Sequence, residues 1–398
     1  MSKVIIKECK DYNLDNLIEK INQGIGRLGG WDLFVKPGDK VLLKVNLIGP
    51  KSSDSGAVTH CEFVRALTRI LKQRGCEVWI GDSSGGALAG VAPTVQSFRA
   101  SGIEKVANEE GALIKNFDKE GVVEVLPNGK FKDKMYLAKP IYDADLVINL
   151  PKFKTHMMGV YTGAIKNVFG CIPGLRKAKY HKIAVTPRSF GEILADIHEC
   201  GRFHLHIMDG IQAMQGEGPT AGSVYQANKI LISKDPLALD VVAIKMLGLD
   251  IKQVPILAAS KQRKIGEGDL EKIEIEGDYQ SIPRLKRFGL PVFHWGRLRN
   301  FAMLIPFIEF MRSKPKVNLK KCKKCNVCVE SCPVEAIDKD TKKINYKECI
   351  ECLCCHELCM YKAIDLKRFI VVDLVFKSCR TIYRLVTTKL LNSINILS

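Results

Sequence analysis

Two runs of four cysteines near the end of the chain constrain its structure more than any other feature. Each run has the spacing C-x2-C-x2-C-x3-C, and the second begins 27 positions after the first. This is the spacing of bacterial ferredoxins that hold two 4Fe–4S clusters. The cysteines of the two runs are Cys322, Cys325, Cys328 and Cys332, and then Cys349, Cys352, Cys355 and Cys359.

In this pattern the fourth cysteine of each run binds the cluster of the other run. Cluster one is therefore expected to take Cys322, Cys325, Cys328 and Cys359, and cluster two Cys349, Cys352, Cys355 and Cys332. Structural zinc sites use two ligand pairs separated by a longer gap, which disfavours zinc here. Disulfides would suit a small secreted domain, and no secretory signal is visible. Similar residues after each fourth cysteine indicate an internal duplication.

The second run departs from the pattern at two positions. Met360 stands where the first run has Pro333. Because proline is not a ligand, this change loosens a turn without removing a cluster ligand. Cys354 is an additional thiol beside Cys355, and the spacing favours Cys355 as the ligand.

Length and charge add a second constraint. A chain of 398 residues is expected to form two or more domains, and 46% hydrophobic with 26% charged residues is typical of a globular protein. The net charge is +18, and most of it lies near the end of the chain. From Arg284 onward there are 23 basic and 10 acidic residues. Seven further cysteines have no regular spacing, which indicates reduced thiols. Together with oxygen-sensitive clusters, they predict a cytoplasmic protein of an anaerobe, and no stretch is long enough to span a bilayer.

The first two thirds of the chain alternate between apolar runs and helical patterns. Strands are predicted over 40–47, 76–81, 145–150, 203–208 and 229–233, and helices after Thr59 and over 94–101, 187–199 and 236–247. Asn128-Gly129 predicts a hairpin turn. The stretches 151–156 and 210–222 are predicted to be loops. This alternation predicts an α/β domain with a mostly parallel sheet.

Four segments follow from these patterns. We expect an α/β domain over 1–285, a basic apolar linker over 286–315, a small α+β ferredoxin-like two-cluster domain over 316–367, and a C-terminal amphipathic helix over 368–398. The two basic apolar segments either pack against the folded core or contact an anionic membrane surface.

Polar residues follow the predicted strands, at the edge where open α/β sheets bind ligands. Lys44, Lys154, His156 and Asp209 are therefore expected to converge in one site. The lysines would hold an anionic group, His156 would exchange a proton, and Asp209 would orient a cation or hold a metal. Each also has a structural explanation, such as a solvated lysine, a hydrogen-bonded histidine or an aspartate in a turn. The Gly85-Gly86 pair lacks the spacing of a dinucleotide or P-loop motif.

Five stretches resemble the family called domain of unknown function 362, whose members often carry a C-terminal ferredoxin pair. The stretches are KVNLIGP at 44–50, INLPKFKTH at 148–156, TGAIKNVFGCIPG at 162–174, MDGIQAMQGEGPTAG at 208–222 and SKDPLALDVVAIKMLG at 233–248. The resemblance implies site or scaffold roles, without implying a reaction, for Lys44, Asn46, Lys152, Lys154, His156, Lys166, Asn167, Asp209, Gly216, Gly218 and Asp240.

Three functions are consistent with these features. The chain could be a reductase that takes electrons from a low-potential donor such as a ferredoxin and passes them to a small-molecule or protein acceptor. It could be an electron-transfer or cofactor-maturation subunit, or a binding protein whose clusters only stabilise the fold. Nucleic-acid binding is a fourth and weaker alternative, because no recognised nucleic-acid-binding module is visible in the sequence. The predicted location is the cytoplasm, with contact to the membrane surface as an option.

Overall fold

The computed structural model describes residues 1–85, 92–129, 134–174, 176–184, 186–291, 314–359 and 361–367. Most of the predicted linker, 292–313, and the predicted C-terminal helix, 368–398, lie outside the described residues. No helix in the described ranges combines the length and the apolar character that crossing a membrane requires.

A mixed, mostly parallel sheet forms the centre of the described structure and confirms the predicted α/β class. Its strand order is β12-β1-β11-β10-β7-β2-β3-β4, and β8 and β9 extend it beside β10. From β10 to β4 the strands are parallel, whereas β11 runs antiparallel to β10 and β1. The strands are β1 (Ser2–Glu8), β2 (Lys40–Lys44), β3 (Glu77–Asp82), β4 (Leu113–Asn116), β7 (Leu146–Asn149), β8 (Lys152–His156), β9 (Val160–Thr162), β10 (Leu205–Gln215), β11 (Ser223–Ser233) and β12 (Ile273–Gly277).

Helices cover both faces of this sheet. Successive side chains of a strand point to opposite faces, so Leu43 packs into one apolar cluster and Leu42 into the other. The first face carries α1 (Leu14–Arg27), α2 (Cys61–Gln73), α3 (Thr94–Ala100) and α4 (Ile103–Glu110). The second carries α5 (Pro140–Asp143), α6 (Ala164–Asn167), α7 (Arg176–Ile183), α8 (Pro187–Cys200), α9 (Pro236–Met246) and α10 (Pro255–Gln262).

The N-cap of α2, the helix after β2, lies one residue later than predicted. His60, not Thr59, is the N-cap residue of α2, and its ring accepts a hydrogen bond from the backbone N–H of Glu62. Thr59 is fully buried instead, and its hydroxyl donates to the carbonyl of Leu150 at 2.8 Å. The antiparallel strands β5 (Val122–Val125) and β6 (Met135–Ala138) flank the predicted turn at Asn128-Gly129, and residues 130–133 of the connection lie outside the described residues.

Two predicted loops are wrong in part, and both changes involve β10. The stretch 151–156 contains the buried strand β8, which takes the place of β7 beside β10. Strand β10 does not end before Asp209 but continues to Gln215, with an irregularity between Gly210 and Gln212. Strand β10 is long enough to pair with β7 along its first part and with β8 along its second. The apolar run at 203–208, from which the strand was predicted, covers only the first part.

The cysteine-rich region forms a small separate core. Strands β13 (Lys314–Val317) and β14 (Ile364–Lys367) pair antiparallel and bring the two ends of the region together. Two short helices lie between them, α11 (Val327–Glu330) and α12 (Cys354–Leu358). The region starts two residues before the predicted boundary of 316, and Phe288 and Leu290 still pack on the α/β core beyond the predicted end at 285.

Candidate functional site

A buried ion pair lies at the carboxyl end of β2 and β3. The Lys44 ammonium is fully buried, lies 2.8 Å from Asp82 Oδ1, and donates to the carbonyls of Val45 and Asn167. The Asp82 carboxylate also accepts hydrogen bonds from the backbone N–H groups of Leu47 and Ser83. Burial raises the pKa of Asp82, and the contact with Lys44 opposes that rise.

An amide network continues from this pair. Asn46 accepts a hydrogen bond of 2.6 Å from the Lys154 ammonium and donates to Asn167 Oδ1 at 2.7 Å. Asn167 in turn donates to Asn149 Oδ1 at 2.7 Å. Lys44, proposed for the site, is therefore fixed by β3 and by the end of α6, and Lys154 is fixed by the loop after β2.

A second buried pair lies on the opposite face of the sheet. The Lys152 ammonium lies 2.6 Å from Asp209 Oδ2 and donates to the Tyr12 hydroxyl at 3.0 Å. Tyr12 donates to Asp209 Oδ1 at 2.8 Å, and its ring stacks on His60 with centroids 3.5 Å apart. Asp209 shares the face of Leu205 and Ile207 by the alternation of β10. Burial lowers the pKa of Lys152, against the attraction of Asp209.

His156 has a local structural contact. Its Nδ1 accepts hydrogen bonds from the backbone N–H groups of Met158 and Gly159, at 3.2 and 3.1 Å. The imidazole therefore caps the turn between β8 and β9. Lys44 pairs with Asp82 and Asp209 pairs with Lys152, on opposite faces of the sheet. The expected convergence of Lys44, Lys154, His156 and Asp209 in one site is therefore not what the structure shows.

A cavity near these groups lies between the sheet edge and the cysteine-rich region. Its volume is about 130 Å³, and of the four expected site residues it is lined by Lys154. The α/β side of its wall includes Asn46, Ser83, Lys154, Lys166, Asn167, Gly170, Lys177, His181 and Pro219. The opposite side is formed by Glu330, Ser331, Cys354 and Leu358. Among the described ionisable groups of this wall, three lysines face one carboxylate.

Lys177, a buried cation of this wall, was missed by sequence reasoning. Its ammonium contacts the Ser83 hydroxyl and the Ser84 carbonyl, and Ser83 in turn contacts Asp118. Burial lowers the pKa of Lys177 to about 8, while Asp118 and Asp82 oppose that shift. Lys177 stands among other basic residues of α7, and nothing in its spacing distinguishes it from the exposed Lys179.

Glycine and aspartate residues of the family motifs hold the cavity wall in place. A Cβ atom on Gly170 would lie 2.1 Å from Asp82 Oδ1, so only glycine permits this approach. A Cβ on Gly218 would lie 2.1 Å from the carbonyl oxygen of Thr155. Asp240 accepts hydrogen bonds from the backbone N–H groups of Ala164 and Ile165 and so anchors the turn that carries Lys166 and Asn167. Burial raises the pKa of Asp240 to about 7.

The eight cysteines of the two runs separate into two groups in the expected crossed arrangement. One small cavity is lined by Cys322, Cys325, Cys328 and Cys359, and another by Cys332, Cys349, Cys352 and Cys355. Cys354 lines both the second of these cavities and the larger cavity at the sheet edge. Within the ranges described, no cluster of three or more histidine, cysteine or acidic side chains is arranged to hold a single metal ion.

The backbone around the cysteines repeats with the same period as the cysteines themselves. Six non-glycine residues adopt the left-handed conformation in pairs 27 positions apart: Lys324 and Glu351, Asn326 and Leu353, and Glu335 and Lys362. The thiols of Cys332 and Cys359 each accept a backbone N–H at 3.2 Å, from Ala336 and Ala363. Such N–H groups stabilise thiolates, so the residues fit two iron–sulfur clusters.

Fold and cysteine arrangement together define an α/β protein with an iron–sulfur electron-transfer module. The family model "4Fe-4S dicluster domain" matches residues 314–360. The model "Domain of unknown function (DUF362)" matches residues 41–245. The chain belongs to this DUF362 family, as the sequence resemblance predicts.

One curated relative and two solved structures are similar to this chain. A thylakoid-associated protein of Synechocystis sp. is 32% identical over 267 residues, which cover 66% of this chain and 79% of the relative. The lactate racemase apoprotein of Thermoanaerobacterium thermosaccharolyticum is 11% identical with a TM-score of 0.41. A Thermotoga maritima protein is 13% identical with a TM-score of 0.36. Each of the two structural matches covers 62% of this chain. The match spans 57% of the racemase chain and 59% of the Thermotoga maritima chain, less than two thirds of either.

Proposed function

We propose that this protein is a reductase that delivers electrons to a small anionic ligand held in the cavity at the sheet edge. The carrying observation is the shared wall: Cys354 lines this cavity and also the cavity of the cysteine group proposed for cluster two. When bound, the two clusters would supply single electrons at low potential. Ligand and electron source would thus be neighbours within one chain.

The charge of the cavity supports an anionic ligand. Lys154, Lys166 and Lys177 face Glu330 across it, which leaves an excess of positive charge. Its volume of about 130 Å³ is below the roughly 300–1,000 Å³ of pockets for drug-sized ligands. A small organic acid or a small phosphate ester fits both properties.

Lys177 is suited to supply a proton to the reduced ligand. Its pKa of about 8 lies close to neutral pH, where a general acid is most effective. Lys154 is held by Asn46 and would fix the anionic group, and Lys166 lies over the ring of Phe190 at 5.8 Å, at the cavity wall. The residues proposed to bind the ligand are therefore Lys154, Lys166 and Lys177, and of the four site residues expected from the sequence only Lys154 is among them.

Cluster content is the first test of this proposal. Protein purified without oxygen should contain about eight irons and eight sulfides per chain, as the two-cluster ligation pattern requires. Exchange of Cys328 for serine should affect one cluster, and exchange of Cys355 the other. Stoichiometric zinc without iron after anaerobic reconstitution would exclude the clusters.

Reoxidation of the reduced clusters separates a reductase from a carrier or a structural protein. The reduced holoprotein would be mixed without oxygen with a panel of unsaturated small carboxylates and phosphate esters, and the cluster absorbance followed. A reductase should be reoxidised by at least one of them, and more slowly after Lys177→Met. Binding of several panel members without reoxidation would instead support the cofactor-maturation or carrier alternative.

We also propose contact with a membrane surface, because the Synechocystis relative is thylakoid-associated. The basic apolar sequences at 292–313 and 368–398 are the proposed contact segments. The holoprotein should sediment with vesicles containing anionic lipid, and less so at high salt. Equal recovery with and without vesicles would contradict this contact.

A further inference from the structure

The two halves of the cysteine-rich region share one backbone but carry opposite charges. The first run begins Lys320-Lys321-Cys322-Lys323-Lys324-Cys325, and the equivalent residues 27 positions later are Lys347-Glu348-Cys349-Ile350-Glu351-Cys352. Lys324 and Glu351 adopt nearly the same left-handed conformation, with φ of 54° and 53°. Because the second half forms the same loop with Lys347 as its one lysine, Lys321, Lys323 and Lys324 of the first half are not needed to place the cysteines.

The four lysines form a single exposed basic surface, here called the lysine loop (Lys320, Lys321, Lys323 and Lys324). Lys323 lines the cavity formed by the cluster-one cysteines, and Lys321 lies 3.5 Å from Asp365. The neighbouring segment 335–348 is balanced, with four lysines and four acidic residues. The excess of positive charge is therefore concentrated around Cys322 and Cys325.

We propose that the lysine loop is the docking surface for an acidic electron-carrier protein. Four like charges on one exposed loop steer an oppositely charged partner and fix its orientation. A partner bound there lies against the cavity lined by the cluster-one cysteines. The ligand cavity is instead lined by Cys354, which also lines the cavity of the cluster-two cysteines. An electron carrier bound at this position would lie close to cluster one, as electron transfer requires. A lipid headgroup would gain nothing from this proximity. The inference rests on the cluster pair of the proposed function and is independent of the cavity ligand.

The test measures binding and electron transfer separately, on the anaerobic holoprotein. The probe is an acidic bacterial two-cluster ferredoxin, oxidised for affinity measurements and reduced for stopped-flow measurements. The triple variant Lys320→Glu, Lys323→Glu, Lys324→Glu should raise the Kd at least about tenfold at low salt and slow cluster reduction in parallel. Reduction by a photoreduced neutral deazaflavin should be unchanged, because it needs no docking surface.

A matched control carries the same change of net charge elsewhere. Lys339→Glu, Lys343→Glu, Lys347→Glu alters the balanced segment and should change the Kd less than about threefold. If both triple variants weaken binding equally, or neither does, the lysine loop is not the docking surface. Loss of anionic-vesicle binding in the first variant, with ferredoxin binding intact, would assign the loop to a membrane and overturn the proposal.

A second variant tests the proposal even if the triple variant loses its clusters. The double variant Lys323→Ile, Lys324→Glu copies the residues that the second half carries at the same backbone positions, Ile350 and Glu351. It should keep both clusters, as judged by iron content and absorbance, and still raise the Kd several-fold. Unchanged affinity in this variant at full cluster content would contradict the proposal.

Discussion

The two faces of the sheet each bury a lysine–aspartate pair, and the two pairs differ in what surrounds them. Lys44 and Asp82 lie beside an amide network that ends in the ligand cavity. Lys152 and Asp209 are closed in by Tyr12 and His60. Both pairs are fully buried or nearly so. Lys44, Lys152 and Asp209 belong to stretches that resemble the family motifs, whereas Asp82 does not.

The difference shows that a buried charge pair at a sheet edge is not by itself a binding site. Removing two charges from water costs nearly as much as their attraction returns, so such pairs are retained for the geometry they impose. On one face that geometry shapes a cavity next to the proposed clusters. On the other it fastens the N-terminal segment, through Tyr12, to the centre of β10.

The largest expected effect is on stability, and it should be equal on the two faces. Lys44→Met and Lys152→Met each leave a buried carboxylate without its cation, and each should lower the free energy of unfolding by about 3–5 kcal/mol. Chemical denaturation of the anaerobic holoprotein, followed by far-UV circular dichroism, measures it. A loss below about 1 kcal/mol in either variant would show that its carboxylate is relieved by water or by protonation.

Binding should distinguish the faces where stability does not. With inorganic phosphate as the probe, Lys177→Met and Lys166→Met should each weaken affinity by about 10–100-fold, the range for a lost charge-assisted hydrogen bond. Lys179→Met, on the exposed side of α7, is the matched control and should leave affinity unchanged. Equal affinity in all three variants by calorimetry would remove the cavity from the proposal.

The pH dependence of binding should follow Lys177. Because burial lowers its pKa to about 8, its positive charge is lost as pH rises from 7 to 9, and phosphate affinity should fall by up to about tenfold. Stability moves the other way: between pH 8 and 10.5 the unfolded lysine binds more protons than the folded one, so this group's contribution to the unfolding free energy rises. Lys177→Arg should flatten the binding profile, and a fall that persists in that variant would implicate another group.

The smallest effect should come from the closed face. Tyr12→Phe removes the hydroxyl that donates to Asp209 and accepts from Lys152 and from the backbone N–H of Gln212, and it should lower the free energy of unfolding by about 1–2 kcal/mol. Phosphate affinity should stay at the wild-type value. A change in affinity would mean that the two faces are coupled through β10.

Period and spacing predicted the parts of the structure that local sequence controls. The buried strands at 40–47 and 145–150 and the helices opened by Pro187 and Pro236 are present, because apolar runs and proline act locally. Strand β8 was missed because its sequence, KFKTH, has four polar residues whose burial depends on partners distant in the chain. The expectation for Asp209 failed because the predicted strand ended before it. Since β10 continues through Asp209, alternation from Leu205 and Ile207 places its side chain on the face opposite Lys44.

The grouping of the cysteines could be predicted from the sequence, whereas the cavity could not. The crossed arrangement of Cys332 and Cys359 followed from a spacing that carries its own geometry. The cavity could not be predicted, because it exists only where α7 and α12, which are separated by about half the chain, face each other. Lys177 is visible as a site residue only after that contact is known.

The shared wall of the cavity has a consequence for a protein that meets oxygen. Three non-glycine pairs in the cysteine-rich region hold left-handed backbone conformations, each residue at a cost of about 1 kcal/mol, which cluster ligation would have to offset. Oxidative loss of the clusters would free this backbone to relax. Because Ser331, Cys354 and Leu358 close one side of the cavity, the same damage would open it to water. A damaged molecule would then release its ligand, so that occupancy itself reports whether the protein can still transfer electrons.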